Sequence, residues 1–162
     1  MAVAHTTDAD AVLEYRRGEF AISTDRERLS LDVVHDFLTD CYWAKGVPRD
    51  VVERSIQGAL CFGIYDANGG QVGFARVISD FATIAYVGDV FVLETHRGLG
   101  LGKWLMQCIT LHPALQNLRR WILTTRDAHG LYSQIGFTPV QFPERYMELY
   151  RADVYETPRK TI

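Results

Sequence analysis

The sequence lacks the paired cysteines and histidines of a metal centre or a disulfide scaffold. Its three cysteines, Cys41, Cys61 and Cys108, stand singly inside apolar stretches, and none belongs to a CxxC pair. Its five histidines include no HxH or HxxxH pair. Because zinc sites take their ligands from such closely spaced groups, we predict that no metal is bound. We expect the cysteines to be buried and inert.

Charge of one sign and long apolar runs are also absent. The formal net charge is -3 and no long run of lysine and arginine occurs, whereas a nucleic-acid surface has to neutralise phosphates. The opening stretch, "MAVAHTTDADAVLEYRRGEF", contains neither the basic and apolar regions of a signal peptide nor an apolar segment near the roughly 20 residues of a bilayer span. We therefore predict a cytoplasmic protein that binds neither nucleic acid nor membranes.

What the sequence does have is enough apolar material for one core. Its 162 residues are 48% hydrophobic, which suits a single domain. Residues 1–17 are polar and mixed, and we predict that they form a loose N-terminal arm. The single domain is predicted to span residues 18–162.

The spacing of apolar residues predicts elements in the order β, α, α, β, β, β, α, β, α, β, β. The first helix is expected to begin behind Ser30, a candidate N-cap. The Asn68-Gly69 pair favours an antiparallel hairpin, and the segment "ERYMELYR" at residues 144–151 has the pattern of a last strand. A helix between the strands "VFVL" and "WILTT" implies that these two are parallel. We therefore predict a mixed α/β sheet.

The stretch "THRGLGLGKWL", residues 95–105, has glycines at alternate positions between a buried strand and an amphipathic helix. It is not a P-loop, because Gly98 and Gly102 are one residue too close and Trp104 stands where serine or threonine is required. It is not a dinucleotide fingerprint either, since Lys103 and Leu105 occupy positions that need glycine. Both of these phosphate-binding motifs are therefore excluded.

The pattern that fits is Arg-x-x-Gly-x-Gly, from Arg97 through Gly100 to Gly102. Glycines let a diphosphate approach the main chain, and the unpaired N–H groups of the first helical turn point at it. The alternative is that these glycines only form a tight turn. The strand before them and the helix after them favour the diphosphate.

These residues resemble the GNAT superfamily of acyl-CoA-dependent N-acyltransferases, over most of the chain from about residue 31 to 150. "DVFVLETHRGLGLGKWLM" is similar to the cofactor motif of that family, and "DAHGLYSQIGF", about thirty residues later, is similar to its A-x-x-L-Y-x-x-x-G-F motif. The resemblance implies a mostly antiparallel sheet with a central parallel pair, flanked by about four helices. It also implies acetyl-CoA as the acyl donor, without a metal.

By the same resemblance, the main chain of Phe91 and Val92 would bind the pantetheine arm, with the Val92 N–H directed to the thioester oxygen, and the loop amides would hold the pyrophosphate. Thr125 stands where the family often has asparagine against the pantetheine, and Glu94 where it often has proline. The predicted cofactor-binding residues are Phe91, Val92, Arg97, Gly98, Leu99, Gly100, Leu101, Gly102, Lys103 and Thr125.

Acyl transfer to an amine poses two proton problems, since an alkyl ammonium has a pKa of about 10.4 and a leaving thiolate one of about 8.5. Tyr132 matches the family tyrosine that often serves as general acid; the alternative is a packed tyrosine that fixes the helix. The candidate bases are Asp89 and Glu94, with His129 as a possible relay. Alternation places Asp89 on the face of Phe91 and Leu93, and Tyr86, Gly88, Val90 and Val92 on the other. Asp89 can therefore be either catalytic or structural.

The acceptor is expected to contact the link between the two early helices and the last strands. Tyr42, Trp43, Arg76 and Tyr146 are the candidate substrate-binding residues. The alternative for the aromatic rings is a role in the core or in a subunit contact, and for Arg76 a salt bridge across the hairpin.

The function predicted from this resemblance is direct transfer of an acetyl group from acetyl-CoA to a primary amine of a small molecule or a protein. Two alternatives stay open: a non-catalytic sensor module that binds acyl-CoA, and an O-acyl or longer-acyl transferase on the same fold. A homodimer is compatible with the resemblance, although no residue requires it.

Overall fold

The structure is a computed structural model that describes residues 11–156 of the 162-residue chain. Within these residues, six strands form one sheet in sequence order. The strands are β1 Glu14–Arg17, β2 Phe20–Ser23, β3 Leu60–Tyr65, β4 Gln71–Ser79, β5 Ile84–Val92 and β6 Arg120–Leu123. The helices are α1 Leu31–Asp40, α2 Arg49–Gln57, α3 Leu101–Thr110 and α4 His129–Ser133. Neighbouring strands are antiparallel except β5 and β6, which are parallel, so the predicted mixed fold is confirmed.

The sheet separates two apolar cores. On one face, α1 and α2 bury residues such as Val34 and Ile56 against Phe74 and Phe91. On the other face, α3 and α4 pack residues such as Leu105 and Tyr132 against the same strands. Because alternate residues of a strand point to opposite faces, the long middle strands supply both cores. Strand β5, which leads into the glycine loop, is therefore packed on both faces.

Two local signals in the sequence had the structure that we predicted from them. The Ser30 side chain accepts a hydrogen bond from the Val33 N–H at the start of α1, as an N-cap does. The hairpin between β3 and β4 closes around Asp66 and Gly69, and Gly69 has a φ of 79°. These two features rest on a few neighbouring residues, which is why the sequence was sufficient to predict them.

The loose arm predicted for residues 1–17 is wrong at its end. Residues 14–17 form strand β1 and pair with β2, from Glu14↔Ser23 to Arg17↔Phe20, and Tyr15 packs against the core beneath α3. A short polar strand forms here because each of its four residues pairs with a residue of β2. Residues 1–10 lie outside the described part of the chain, and the domain limits stay a prediction.

The last strand, predicted at residues 144–151, is also wrong. The described chain has a short 3-10 turn at Pro143–Arg145 and no strand after it. Met147 is 98% exposed and Leu149 is 87% exposed. An alternating pattern yields a strand only where another strand pairs with it, and no described strand pairs with this segment. Glu148 and Tyr150 instead line the large cavity at the end of the sheet.

Candidate active site

Strand β5 has a β-bulge in its middle. The register with β4 shifts there, because the pairs on either side are Arg76↔Gly88 and Phe74↔Phe91. Asp89 and Val90 therefore lie opposite a single residue of β4. Asp89 has a φ of 53°, in the left-handed region that non-glycine residues rarely adopt. The bulge bends the strand and changes the direction of its side chains.

The bulge overturns the predicted distribution of side chains between the two faces. Four residues on both sides of it belong to the core beneath α3: Ala85, Val87, Val90 and Val92. Tyr86 and Gly88 therefore do not share a face with Val90 and Val92, because the extra residue shifts the alternation by one. The placement of Asp89 was right, since Asp89 and Phe91 both face α1 and the link that follows it.

The edge of β5 is open where it leads into the glycine loop. Pairing with β6 runs only from Ile84↔Arg120 to Val87↔Leu123, so residues 88–92 have no described strand on that side. Leu93 N–H donates to the Val72 carbonyl at 2.8 Å. Residues 91 and 93 therefore direct their backbone groups to β4, and Val92 directs its own to the open edge. The Val92 carbonyl accepts a hydrogen bond from Arg97 Nε at 3.1 Å, while its N–H faces the gap.

The glycine loop presents bare amides at the start of α3. Gly98 and Gly100 have φ values of 77° and 71°, which glycine adopts without strain. Gly100 is the N-cap of α3 and has no side chain that could cap the helix, so the first-turn N–H groups stay available. A Cβ on Gly102 would lie at ordinary contact distances, 3.7 Å from Leu131 and 4.0 Å from Val92. The turn conformation thus requires the first two glycines, and the third is not required by the folded chain.

Arg17, on the edge strand β1, holds this loop in place through two contacts. The sequence analysis did not predict these contacts. Its guanidinium donates to the Leu99 carbonyl at 3.0 Å and lies 4.7 Å from the centroid of the Trp104 ring. Nothing in the local sequence indicates this contact. It arises because β1 joins the sheet, whereas we had predicted that residue 17 belongs to a loose arm.

Asp89 and Arg76 form an ion pair at the floor of a cavity. Arg76 Nε donates to Asp89 Oδ2, and Trp43 Nε1 donates to Asp89 Oδ1 at 3.1 Å. The exposed fractions are 20% for the Arg76 side chain and 10% for that of Asp89. Both carboxylate oxygens are thus already hydrogen-bonded to cationic or neutral donors. A carboxylate held by both of its oxygens orients its partners.

The cavity has a volume of about 650 Å³ and lies between the α1–α2 link and the loop after β6. It brings together five of the predicted site residues: Tyr42, Trp43, Arg76, Asp89 and Thr125. The sequence analysis missed the hydroxyl pair of Tyr86 and Thr124, 3.1 Å apart, at the point where β5 and β6 separate. The cavity therefore opens directly onto the unpaired edge of β5.

Arg126 closes one side of this cavity. Its guanidinium carbon lies 3.8 Å from the centroid of the Tyr42 ring, and its backbone N–H donates to the Tyr42 hydroxyl at 3.2 Å. Thr125 Oγ1 accepts a hydrogen bond from Ala128 N–H at 3.0 Å. Tyr146 lies outside the cavity wall, with the Arg120 guanidinium 6.0 Å from its ring.

Tyr132 lies on α4 and is 8% exposed. Burial raises the pKa of its phenol to about 12. Its ring packs edge-on against Phe137, and its hydroxyl has no hydrogen-bond partner within residues 11–156, although it is not fully enclosed. The phenol therefore stays protonated at neutral pH and can donate to a ligand. The other proton-transfer candidates, Glu94 and His129, are exposed.

The described residues contain no group of three or more histidine, cysteine or acidic side chains that could hold a metal ion. Within the same residues, no helix is long and apolar enough to cross a membrane. Cys61 and Cys108 are buried and Cys41 is only partly so. Burial raises the pKa of each thiol, to about 12 for Cys61 and about 11 for Cys108, which makes them poor nucleophiles.

Comparison with known proteins gives one consistent result. A family described as "Acetyltransferase (GNAT) domain" matches residues 57–139. A candidate acetyltransferase of Gibberella zeae is 32% identical over an alignment of 142 positions, and the match covers 74% of this chain and 79% of that protein. The crystal structure of a candidate GNAT acetyltransferase from Xanthomonas campestris pv. campestris is 50% identical, with a TM-score of 0.83, and the match covers 88% of this chain and 100% of that one.

A more distant structural neighbour is glucosamine-6-phosphate N-acetyltransferase from Arabidopsis thaliana. It is 16% identical, with a TM-score of 0.58, and the match covers 82% of this chain and 99% of that one. At this identity the likeness concerns the fold alone. A similar fold therefore occurs in proteins whose sequences have diverged widely.

Proposed function

We infer that this chain, which belongs to the GNAT acetyltransferase family, transfers an acetyl group from acetyl-CoA directly to a primary amine of a small molecule or a protein. One observation supports this most strongly: the edge of β5 opens at residue 88 and leads, through a short 3-10 turn at Glu94–His96, into the glycine loop and the N-terminus of α3. An amide-containing arm that ends in a diphosphate fits such a continuous surface, because the strand edge pairs with amides and the helix start attracts anions.

The donor site is proposed to run from the strand to the loop. The Val92 N–H faces the open edge and is the candidate donor to the thioester oxygen, where charge develops during acyl transfer. The first-turn amides of α3 and those of the loop are proposed to bind the pyrophosphate, with Arg97 and Lys103 beside them. The main-chain contact predicted for Phe91 is not proposed, because residue 91 directs its backbone groups to β4. Its side chain stacks on Phe37, with ring centroids 3.9 Å apart, and supports the strand. Thr125 is proposed to lie against the pantetheine.

Tyr132 is proposed to stabilise the leaving thiolate. Complete proton transfer from a phenol of pKa about 12 to a free thiolate of pKa about 8.5 would cost about 5 kcal/mol. A hydrogen bond from the phenol to the sulfur in the transition state avoids this cost and needs no ionised tyrosine. The raised pKa thus keeps Tyr132 a donor throughout the neutral and mildly alkaline range.

Asp89 is proposed to act as a positioning residue, since Arg76 and Trp43 already occupy both of its oxygens. The acceptor amine then has to reach the cavity in its neutral form or lose its proton to water. For an alkyl amine of pKa about 10.4, the reactive fraction rises about tenfold per pH unit below that value. We therefore propose that catalysis depends mainly on orientation and on a polarised carbonyl.

Two measurements on one preparation test the proposed function. Calorimetric titration with acetyl-CoA and with CoA measures donor binding, and thiol release against a panel of amines measures transfer. Donor binding together with amine-dependent release supports a transferase. Binding without release from any amine would favour a sensor module, and the absence of binding would refute the donor site at β5 and the loop.

A further inference from the structure

Arg76 lies in the cavity with most of its guanidinium uncommitted. In the described structure its Nε is the one guanidinium nitrogen with a hydrogen bond, and Asp89 accepts that bond. Trp43 holds the other oxygen of Asp89. The ion pair therefore fixes the orientation of the guanidinium and leaves its two terminal NH₂ groups for a ligand.

We propose that the acceptor is an amine that also has a carboxylate, and that Arg76 binds this carboxylate. A guanidinium binds a carboxylate through two parallel hydrogen bonds, a geometry that lysine cannot provide. The Arg76 side chain is 20% exposed, so a carboxylate bound there is largely removed from water and its hydrogen bonds are strengthened. This inference rests on the proposed function and names the substrate class of the same site.

The charges around the cavity favour a zwitterion over other ligands. Arg76 and Arg126 contribute positive charge, while Asp89, Asp127 and Glu148 line the same cavity with negative charge. A dianionic phosphate would meet repulsion from these three carboxylates, and the second ammonium of a diamine would meet repulsion from the two arginines. A molecule with one ammonium and one carboxylate pairs with both sets.

The position of Arg76 also suits the reaction. Arg76 pairs with Gly88 across the sheet, and Gly88 is the first residue of β5 beyond the pairing with β6. Arg76 is therefore level with the start of the open edge, at which the proposed donor site begins. A short acceptor whose carboxylate contacts Arg76 can therefore extend its amine toward that edge.

Pairs of amines that differ only in the carboxylate provide the test. Thiol release from acetyl-CoA is measured with L-amino acids, β-alanine and aminobenzoates, each against its own carboxamide. We expect kcat/KM to be about tenfold or more higher for the carboxylate member of at least one pair. Equal or higher values for every carboxamide would refute the inference and leave the proposed function intact. No release from any amine would refute both.

Variants of the Arg76–Asp89 ion pair test whether Arg76 is the group that binds the carboxylate of the acceptor. The double variant Arg76→Gln, Asp89→Asn removes both charges and so avoids an unpaired buried carboxylate. We expect its ratio of kcat/KM between carboxylate and carboxamide to fall close to one. Arg76→Lys keeps the positive charge but cannot form the two parallel hydrogen bonds of a guanidinium, so it should reduce the ratio partly. This variant gives a second readout if the double variant does not fold.

Arg119→Gln is the matched control, because Arg119 is exposed and does not line the cavity. It removes one positive charge and should leave the ratio at its wild-type value. A wild-type ratio in the folded double variant or in Arg76→Lys would show that another group recognises the carboxylate and would refute the assignment to Arg76.

Discussion

The guanidinium of Arg17 donates a hydrogen bond of 3.0 Å to the carbonyl oxygen of Leu99, 82 positions later in the chain. This bond connects β1, at one edge of the sheet, to the loop that precedes α3. The loop also rests on two glycines with positive φ, which gain flexibility in the absence of outside contacts. Arg17 therefore limits the conformations of the loop before any ligand binds.

We predict that Arg17→Gln weakens acetyl-CoA binding about threefold to tenfold with little change in stability. The loop has to be ordered on binding when Arg17 no longer fixes it, and that ordering reduces affinity. The exposed hydrogen bond itself contributes only about 0.5–1.5 kcal/mol to folding. Calorimetry measures the affinity and thermal unfolding measures the stability.

Arg16→Gln is the control for this change. Arg16 is the neighbouring residue of β1, its side chain is 77% exposed, and it pairs with Glu14 instead of contacting the loop. It removes the same charge from the same strand. Equal losses of affinity in the two variants would mean that overall charge, and not the contact with Leu99, affects the binding of the donor.

We predict that Gly100→Ala weakens acetyl-CoA binding at least about tenfold. Gly100 and Gly69 both have left-handed φ values, 71° and 79°, so alanine should destabilise either site by about 1–2 kcal/mol. Only at Gly100 would the new methyl group lie beside the proposed pyrophosphate. The measurements are calorimetric titration with acetyl-CoA and chemical unfolding of both variants.

Gly69→Ala provides the comparison, since Gly69 lies in the β3–β4 hairpin with open space around its Cβ position. It should show the same loss of stability and an unchanged affinity. If Gly100→Ala bound acetyl-CoA as Gly69→Ala does, the glycine would serve the turn alone.

We predict that Tyr132→Phe lowers kcat about tenfold to a hundredfold and leaves the affinity for CoA unchanged. The phenol is proposed to act on the leaving sulfur, so its loss affects the transition state more than the bound donor. The folded state should not suffer, because the hydroxyl has no partner within the described residues. Steady-state thiol release and calorimetry separate the two effects.

Tyr65→Phe tests whether this effect is specific. Burial raises the pKa of Tyr65 to about 12, as it does for Tyr132, but Tyr65 lies on β3, where the Arg28 guanidinium lies over its ring. The kcat of this variant for thiol release should equal that of the wild type. An unchanged kcat in Tyr132→Phe, or an equal fall in both variants, would remove Tyr132 from the mechanism.

The parts of the fold that we predicted correctly depend on signals within a few residues. Ser30 begins α1, and the hairpin at Asn68-Gly69 pairs β3 with β4, because capping and turn conformations are local. The parallel pair of β5 and β6 followed from the handedness of a single crossover. Family resemblance added the prediction that the glycine loop belongs to a donor site, and this stays a prediction.

The parts that we missed depend on contacts between distant segments. We did not predict the bulge at Asp89, although Gly88 stands directly before it, because a glycine does not fix the register that β4 and β5 adopt together. The contact of Arg17 with Leu99 required β1 to be part of the sheet. Residues 144–151 have the pattern of a strand, but a pattern does not supply the neighbouring edge. Among the cavity residues, Tyr42, Trp43 and Arg76 were predicted although they lie outside the two motifs, whereas Tyr86 and Thr124 were missed because only the fold brings them together.

His112 gives a prediction about stability that is independent of the active site. Its side chain is 1% exposed, it accepts a hydrogen bond from Ala114 N–H through Nδ1, and its Nε2 has no partner within residues 11–156. Burial lowers the pKa of this imidazole below its ordinary 6.5. The folded state therefore favours the neutral ring, whereas the unfolded state takes up a proton near pH 6.5.

The contribution of His112 to stability is thus complete above pH 6.5 and is lost as the pH falls through that value toward the folded-state pKa. We predict that the free energy of unfolding decreases between pH 7.5 and pH 5.5 and that it decreases less in His112→Asn, whose amide oxygen can still accept from Ala114. Urea unfolding at the two pH values measures this difference. Parallel pH dependence in the two proteins would place the loss of stability on other groups, because a buried asparagine has no proton to gain.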